Sequence, residues 1–295
     1  MKYIGFVFIL LWSSGYISSS IGLMYTNPLS FITLRVVIAL FVFILLNFLF
    51  AESGSVMSRK DIIMSLWVGL FIQFLYPVLF SYSLSEGISP AMLTVVLGLQ
   101  PVLTLIISRG WTSKVQIGAI IGCMLGTVLL SVESLSLGAS NEVNMLYAVL
   151  SLLGITLGTA IQKLYCSHIP IQKTMGLQCF SALIALVPTT LLWSEFTVQM
   201  TTPFLVALLW QSLVISSLAS VLLIHALKSG TVTNVSTYFS CVPACTSVLS
   251  YLILDSELTI TMGMGIGFII VCTYLVHNPQ STRIWQVKLK KMGKD

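Results

Sequence analysis

The chain has 295 residues, of which 57% are hydrophobic and only 8% charged, with a mean hydropathy of +1.00. Soluble domains carry roughly a quarter charged residues, so a water-solvated globule is excluded and lipid is the solvent for most of this chain. The formal net charge of +5 is accounted for by short basic loops between apolar runs, which leaves nucleic-acid binding without support.

In chain order, the apolar runs predict membrane-spanning helices at 3–23, 29–50, 62–83, 88–108, 115–133, 144–164, 174–194, 204–226, 231–254 and 259–277. Each is near the roughly 20 residues that cross a bilayer. Helix is forced because backbone polar groups cannot stay unpaired in hydrocarbon, and the runs lack the alternation of barrel strands. The first run follows Lys2 but carries Trp12 and Tyr16. It ends at Ile21-Gly22-Leu23 without a small-x-small cleavage site, so it reads as a span and not as a removable signal.

Charge placement tests the count. With the N-terminus inside, the inside segments hold every lysine and arginine except Arg35. The outside ends hold Glu86, Glu133, Glu142, Glu195, Asp255 and Glu257. A miscounted helix would scramble this separation. The positive-inside rule therefore predicts ten spans with both termini cytoplasmic, in the inner (plasma) membrane of the cell. The tail 279–295 alternates basic and apolar residues. It serves as a topology signal whose Lys288, Lys290 and Lys291 also suit anionic membrane lipid. The 6 cysteines are scattered, mostly inside apolar runs. Cys241 and Cys245 share a helix face, but no His or carboxylate sits beside them at metal-ligand spacing. They read as packing residues, and no metal or cofactor is expected.

The two halves repeat one another. Tyr82-Ser-Leu-Ser-Glu-Gly-Ile-Ser-Pro leads into span four as His225-Ala-Leu-Lys-Ser-Gly-Thr-Val-Thr leads into span nine. Pro101 follows Gly87, and Pro243 follows Gly230, at nearly the same interval. Span five carries Gly118, Gly122 and Gly126, and span ten carries Gly263 and Gly267, each set lining one helix face. These two faces are expected to pack closely within the chain, with homodimerisation through one of them as the alternative. Residues 1–134 and 143–278 thus form two five-helix repeats. An odd number of spans inverts the second repeat relative to the first. The expected fold is an all-α integral membrane protein, ten transmembrane helices in two inverted five-helix repeats, which is an architecture of secondary transporters.

At Leu11-Trp12-Ser13-Ser14-Gly15, Leu34-Arg35 through Ala39, Ser83-Leu84 through Pro101, and Ser256-Glu257-Leu258-Thr259 through Gly265, the chain resembles the drug/metabolite transporter superfamily, specifically EamA-type ten-helix exporters. The resemblance implies a central cavity between the repeats and export of amino acids or related metabolites. One departure stands out. Ser108-Arg109-Gly110-Trp111-Thr112 places Arg109 where the family usually carries a glutamate.

Helix breaks at matching places in two repeats point to a midplane site. Gln100-Pro101 and Cys241-Val242-Pro243 are such a pair, with Tyr238 and Ser240 within about a turn. Trp12 and Tyr16 lie one turn apart on a span-one face rich in serine, suited to flank an apolar or aromatic substrate. Gln73 and Tyr76-Pro77 in span three offer another polar, kinked surface. Arg35 is a cation at membrane depth; it suits a substrate carboxylate, and a structural role is the competing reading. The small-molecule-binding set is therefore Trp12, Tyr16, Arg35, Gln73, Tyr76, Gln100, Pro101, Tyr238, Ser240 and Pro243. No carboxylate lies in the middle third of any predicted span, so proton-coupled drug efflux lacks its usual buried acid, and facilitated export of a zwitterionic or neutral metabolite is favoured. An intramembrane aspartyl protease would need two aspartates at membrane depth. Asp61, Asp255 and Asp295 lie at span ends or in the tail. A serine hydrolase lacks a recognisable oxyanion hole, and a channel lacks a repeated selectivity motif.

Overall fold

The computed structural model describes residues 2–50, 57–88, 90–100, 103, 107, 118, 121–129, 142–193, 195–229, 232–254 and 259–277. Among them the chain runs as helices α1 (Lys2–Leu23), α2 (Pro28–Leu49), α3 (Arg59–Ser85) and α4 (Pro90–Leu97). A helical stretch over 121–129 is α5. The second half follows with α6 (Glu142–Tyr165), α7 (Ile171–Trp193), α8 (Thr202–Leu209, Trp210–Ala219 and Ser220–Ser229), α9 (Val232–Leu254) and α10 (Ile260–His277). Among the described residues 6 helices are long and apolar enough to cross a membrane, and α9 and α10 carry the shorter apolar stretches Cys241–Leu254 and Ile260–Cys272. The chain is an all-α membrane protein. Pro101, the connection to the second repeat and the basic tail 279–295 lie outside the described residues, as does the side chain of Ser240.

Helix starts follow local chemistry. Asn27 accepts from Ser30 N at 2.9 Å, with Pro28 at the first helical position of α2. Ser58 and Asp61 form a reciprocal capping box at the head of α3, at 3.2 and 3.0 Å. At the other end of α3, Gly87 takes φ +98°. Its N–H bonds the Leu84 carbonyl at 3.1 Å, and the Ile88 N–H bonds the Ser83 carbonyl at 3.2 Å. This αL ending turns the chain into α4, and a side chain at Gly87 would strain it.

The repeats interdigitate. The closest pairings join one repeat to the other: α2 on α7, α1 on α9, and α3 on α6 and α7. One apolar core gathers Phe8, Trp12, Tyr16, Phe80, Leu93, Leu152, Leu223 and Phe239, and a second gathers Phe31, Val36, Phe43, Cys179, Leu186 and Phe204. The ends are tied as well. On the side predicted to be outside, Thr26 pairs in a β-bridge with Val198. Its hydroxyl donates to the Thr197 carbonyl at 2.7 Å, and Asn27 Nδ2 donates to the Glu195 carbonyl at 2.6 Å. On the opposite side His168 Nε2 lies 3.0 Å from Asp61 Oδ1, and Asn47 Nδ2 donates to the Gln172 carbonyl at 2.9 Å.

Both α3 and α8 leave α-helical geometry at mid-length, with π-helical segments at Leu70–Leu75 and Trp210–Ala219. In α3 the cause is legible: Pro77 has no N–H to donate to the Gln73 carbonyl, and the Tyr76 N–H reaches back five residues to Phe71 O. In α8 serine hydroxyls add to the backbone bonds, the Ser220 N–H itself reaching back five residues to Ile215 O. Ser217 Oγ donates to Ser212 O at 2.9 Å and Ser220 Oγ to Ile215 O at 3.2 Å. Helix α6 fits against the first bulge through Gly154: a methyl group there would stand 3.2 Å from Tyr76 N and 3.5 Å from Phe71 O.

The glycine faces singled out from sequence differ in their surroundings. Among the described residues nothing lies within 4 Å of a methyl added at Gly118, Gly263 or Gly267. On α5, Gly122 and Gly126 lie against Cys272, Ile269 and the Gly265 carbonyl of α10. Gly265 is offset from the Gly263/Gly267 stripe because 3.6-residue periodicity turns it about 160° or more away from each neighbour two positions distant. A spacing of four locates a stripe, but either a helix or lipid can cover it.

The candidate transport site

Between the repeats, α1, α2, α3 and α8 enclose a cavity of about 40 Å³. Its wall includes Trp12, Gly15, Tyr16 and Ser19 of α1, Arg35 of α2, Gln73, Tyr76, Phe80 and Ser81 of α3, and Gln211, Ser216 and Ser220 of α8. A second lobe of about 10 Å³ lies beyond Trp12, Tyr16 and Tyr76, where Thr94, Gln100, Phe239, Val242 and Pro243 complete the wall. One water needs about 10–15 Å³, so the smaller lobe is water-sized and the larger has room for about three.

The two π-helical segments meet at the larger lobe. The first supplies Gln73 (2% exposed) and the second Gln211 (2% exposed). Such bulges recur at functional sites because they re-aim side chains and leave carbonyls free to be captured. Aromatic rings line the rest: Tyr16 meets Phe80 edge-on with centroids 5.1 Å apart, and Trp12 meets Phe239 edge-on at 5.4 Å.

Arg35 is the charged group of this wall. It is 7% exposed, and its Nε has no hydrogen-bond partner. No Asp or Glu borders either lobe among the described residues. Ser81 Oγ, Gln211 Oε1 and Ser216 Oγ, on the same wall, are also buried without partners. Buried polar groups are normally satisfied, and these four unpaired atoms share one wall.

Of the residues singled out from sequence, the structure brings Trp12, Tyr16, Arg35, Gln73, Tyr76, Gln100 and Pro243 onto the two lobes. Tyr238 is elsewhere. It packs on Phe8 with centroids 6.5 Å apart and close over Gly5, because it lies on the α9 face turned to the start of α1. At Pro243 the helix continues without a break, whereas in the first repeat the helix gives way to a turn at Gly98 and Leu99, directly before Gln100, and α3 and α8 carry the π-helical interruptions. Sequence reasoning missed Ser81, Gln211, Ser216 and Ser220. A glutamine inside an apolar run was the available signal for Gln211, since such a group asks for partners at membrane depth. No proline drew attention to it.

Two copies of one family model, the EamA-like transporter family, match the chain over residues 2–132 and 143–277. The chain belongs to the EamA-like transporter family. Each copy covers one of the repeats whose helices interdigitate around the cavity. A solved crystal structure superposes on 94% of this chain and 96% of its own with a TM-score of 0.76, at 15% sequence identity, which establishes the shared fold. In all, 29 chains of solved structures match. No curated protein matches the sequence significantly. EamA-like membership makes this a membrane transporter of the drug/metabolite superfamily, with a small molecule as its cargo.

Proposed function

We propose that this EamA-like protein exports small metabolites that carry a carboxylate, such as amino acids and related zwitterions, across the inner membrane with both termini cytoplasmic. The observation that carries the reading is Arg35: a buried cation on the cavity wall, with an unpartnered Nε and no protein carboxylate on the described wall. A substrate carboxylate supplies the missing counter-charge in a charge-assisted hydrogen bond. Trp12, Tyr16, Tyr76 and Phe80 receive its apolar part, and Gln73 and Gln100 add polar contacts. Transport proceeds by alternating access. Opening toward one side breaks the Thr26–Val198 bridge and its neighbours, and opening toward the other breaks the Asp61–His168 and Asn47–Gln172 ties.

Because no carboxylate lies in the middle third of any predicted span to carry a proton, the proposed mode is uniport down the substrate gradient. Metabolite profiling of cells with and without the gene identifies cargo, and proteoliposome flux is then measured with and without a pH gradient. Flux lost in Arg35→Met and indifferent to pH gradient is the expected result. Strong acceleration by an inward proton gradient overturns uniport. Undiminished carboxylate flux in Arg35→Met overturns the binding role.

A further inference from the structure

Gln211 is held in a way that fixes which of its atoms faces a ligand. The two hydrogens of its Nε2 are shared among three acceptors within reach on α1: the Gly15 carbonyl at 2.6 Å, Ser19 Oγ at 2.7 Å and Ser18 Oγ at 3.0 Å. A carbonyl oxygen can only accept, so the amide nitrogen must face Gly15; the reversed amide would set two acceptor oxygens against each other. The atom left over is Oε1, buried and without a partner on a residue that lines the cavity. Oε1 can only accept. The same lobe holds Arg35, which can only donate. The site therefore has a donor group on α2 and an acceptor group on α8, with the Ser81 and Ser216 hydroxyls able to serve either.

We infer that Gln211 is the specificity-determining residue of the transport site: its Oε1 accepts a hydrogen bond from the substrate's amino group while Arg35 holds the carboxylate. The inference rests on the carboxylate reading above and goes beyond it by assigning the second end of the ligand. An α-amino acid satisfies both ends. Its des-amino acid, with hydrogen in place of the amino group, leaves Oε1 buried and unpaired. Sites built to bond a substrate N–H reject analogues that lack it for this reason.

The test uses the purified full-length protein and paired probes: L-phenylalanine with 3-phenylpropanoate, L-leucine with 4-methylpentanoate, and L-serine with 3-hydroxypropanoate. Affinities are read from ligand-dependent thermal stabilisation. The wild type is expected to favour the amino acid of a binding pair by about tenfold or more, as the loss of one hydrogen bond to a charged group implies. Gln211→Lys presents three donors and no acceptor. It keeps the bonds to Gly15, Ser18 and Ser19 while removing the acceptor, and is expected to erase or invert the preference. Gln211→Met, which keeps neither, is expected to erase it. Equal wild-type affinity for both members of a pair overturns the inference with no variant needed, as does an unchanged preference in a folded Gln211→Lys. If both members bind equally and Arg35→Met abolishes both, the role of Gln211 fails and the carboxylate reading stands. If neither member of any pair binds, both fail.

Discussion

Replacing Arg35 by methionine separates a binding role from a structural one through the sign of its effect on stability. The side chain is 7% exposed, with an unpartnered Nε. An arginine at the centre of a membrane helix costs about 2.5–3.5 kcal/mol on insertion scales, and among the described residues no ion pair offsets it. Methionine keeps most of the stem volume and removes that cost, so Arg35→Met is expected to leave stability unchanged or raise it by up to about 3 kcal/mol. Breaking a paired buried ion would instead destabilise by about 3–5 kcal/mol. Affinity should move the other way. Loss of a hydrogen bond between charged groups is worth about 1.5–3 kcal/mol, which weakens carboxylate binding about 10- to 150-fold. Thermal unfolding of purified protein and ligand titration measure the two quantities side by side. A destabilised variant with intact affinity would refute the reasoning and make Arg35 a scaffold residue.

Gly154→Val crowds the Tyr76 backbone, where a methyl alone would stand 3.2 Å away, and should cost about 1–3 kcal/mol. Gly267→Leu, with nothing among the described residues within 4 Å, should leave folded yield unchanged; size-exclusion profiles of both variants decide. Thr26→Cys combined with Val198→Cys places two thiols at bridge-paired positions, within disulfide reach of about 4.4–6.8 Å between Cα atoms. Oxidation should stop flux and reduction restore it, and full flux in cross-linked protein would show that this end does not open. Single-cysteine labelling in a cysteine-free background should find residues 136–142 and 196–200 outside and 54–60 and 285–295 inside. Termini on opposite sides would contradict ten spans.

Much of this protein was legible from its sequence because lipid leaves so few choices. Backbone groups must pair within each span, so runs such as 28–49 and 171–193 could only be helices, and the one-sided placement of Lys60, Lys163, Lys173 and Lys228 carries the proposed orientation. The repeat was legible as well, in the matching approaches to α4 and α9. Trp12, Tyr16 and Arg35 could be singled out because aromatic, polar and charged groups at membrane depth need a reason to be there. Packing was beyond its reach. Glycine spacing does not say which face meets a helix, so the stripe at Gly263 and Gly267 looked equivalent to Gly122 and Gly126, which meet α10, while the close approach at Gly154 drew no notice. Prolines mark where an α-helix can break, yet Pro243 is accommodated within α9, while α8 bulges with no proline in the π-helical segment, and serine hydroxyls add bonds to its carbonyls. The acceptor at Gln211 is purely a product of tertiary structure: only contact with the Gly15 carbonyl of α1 turns its amide so that the oxygen is the atom left over.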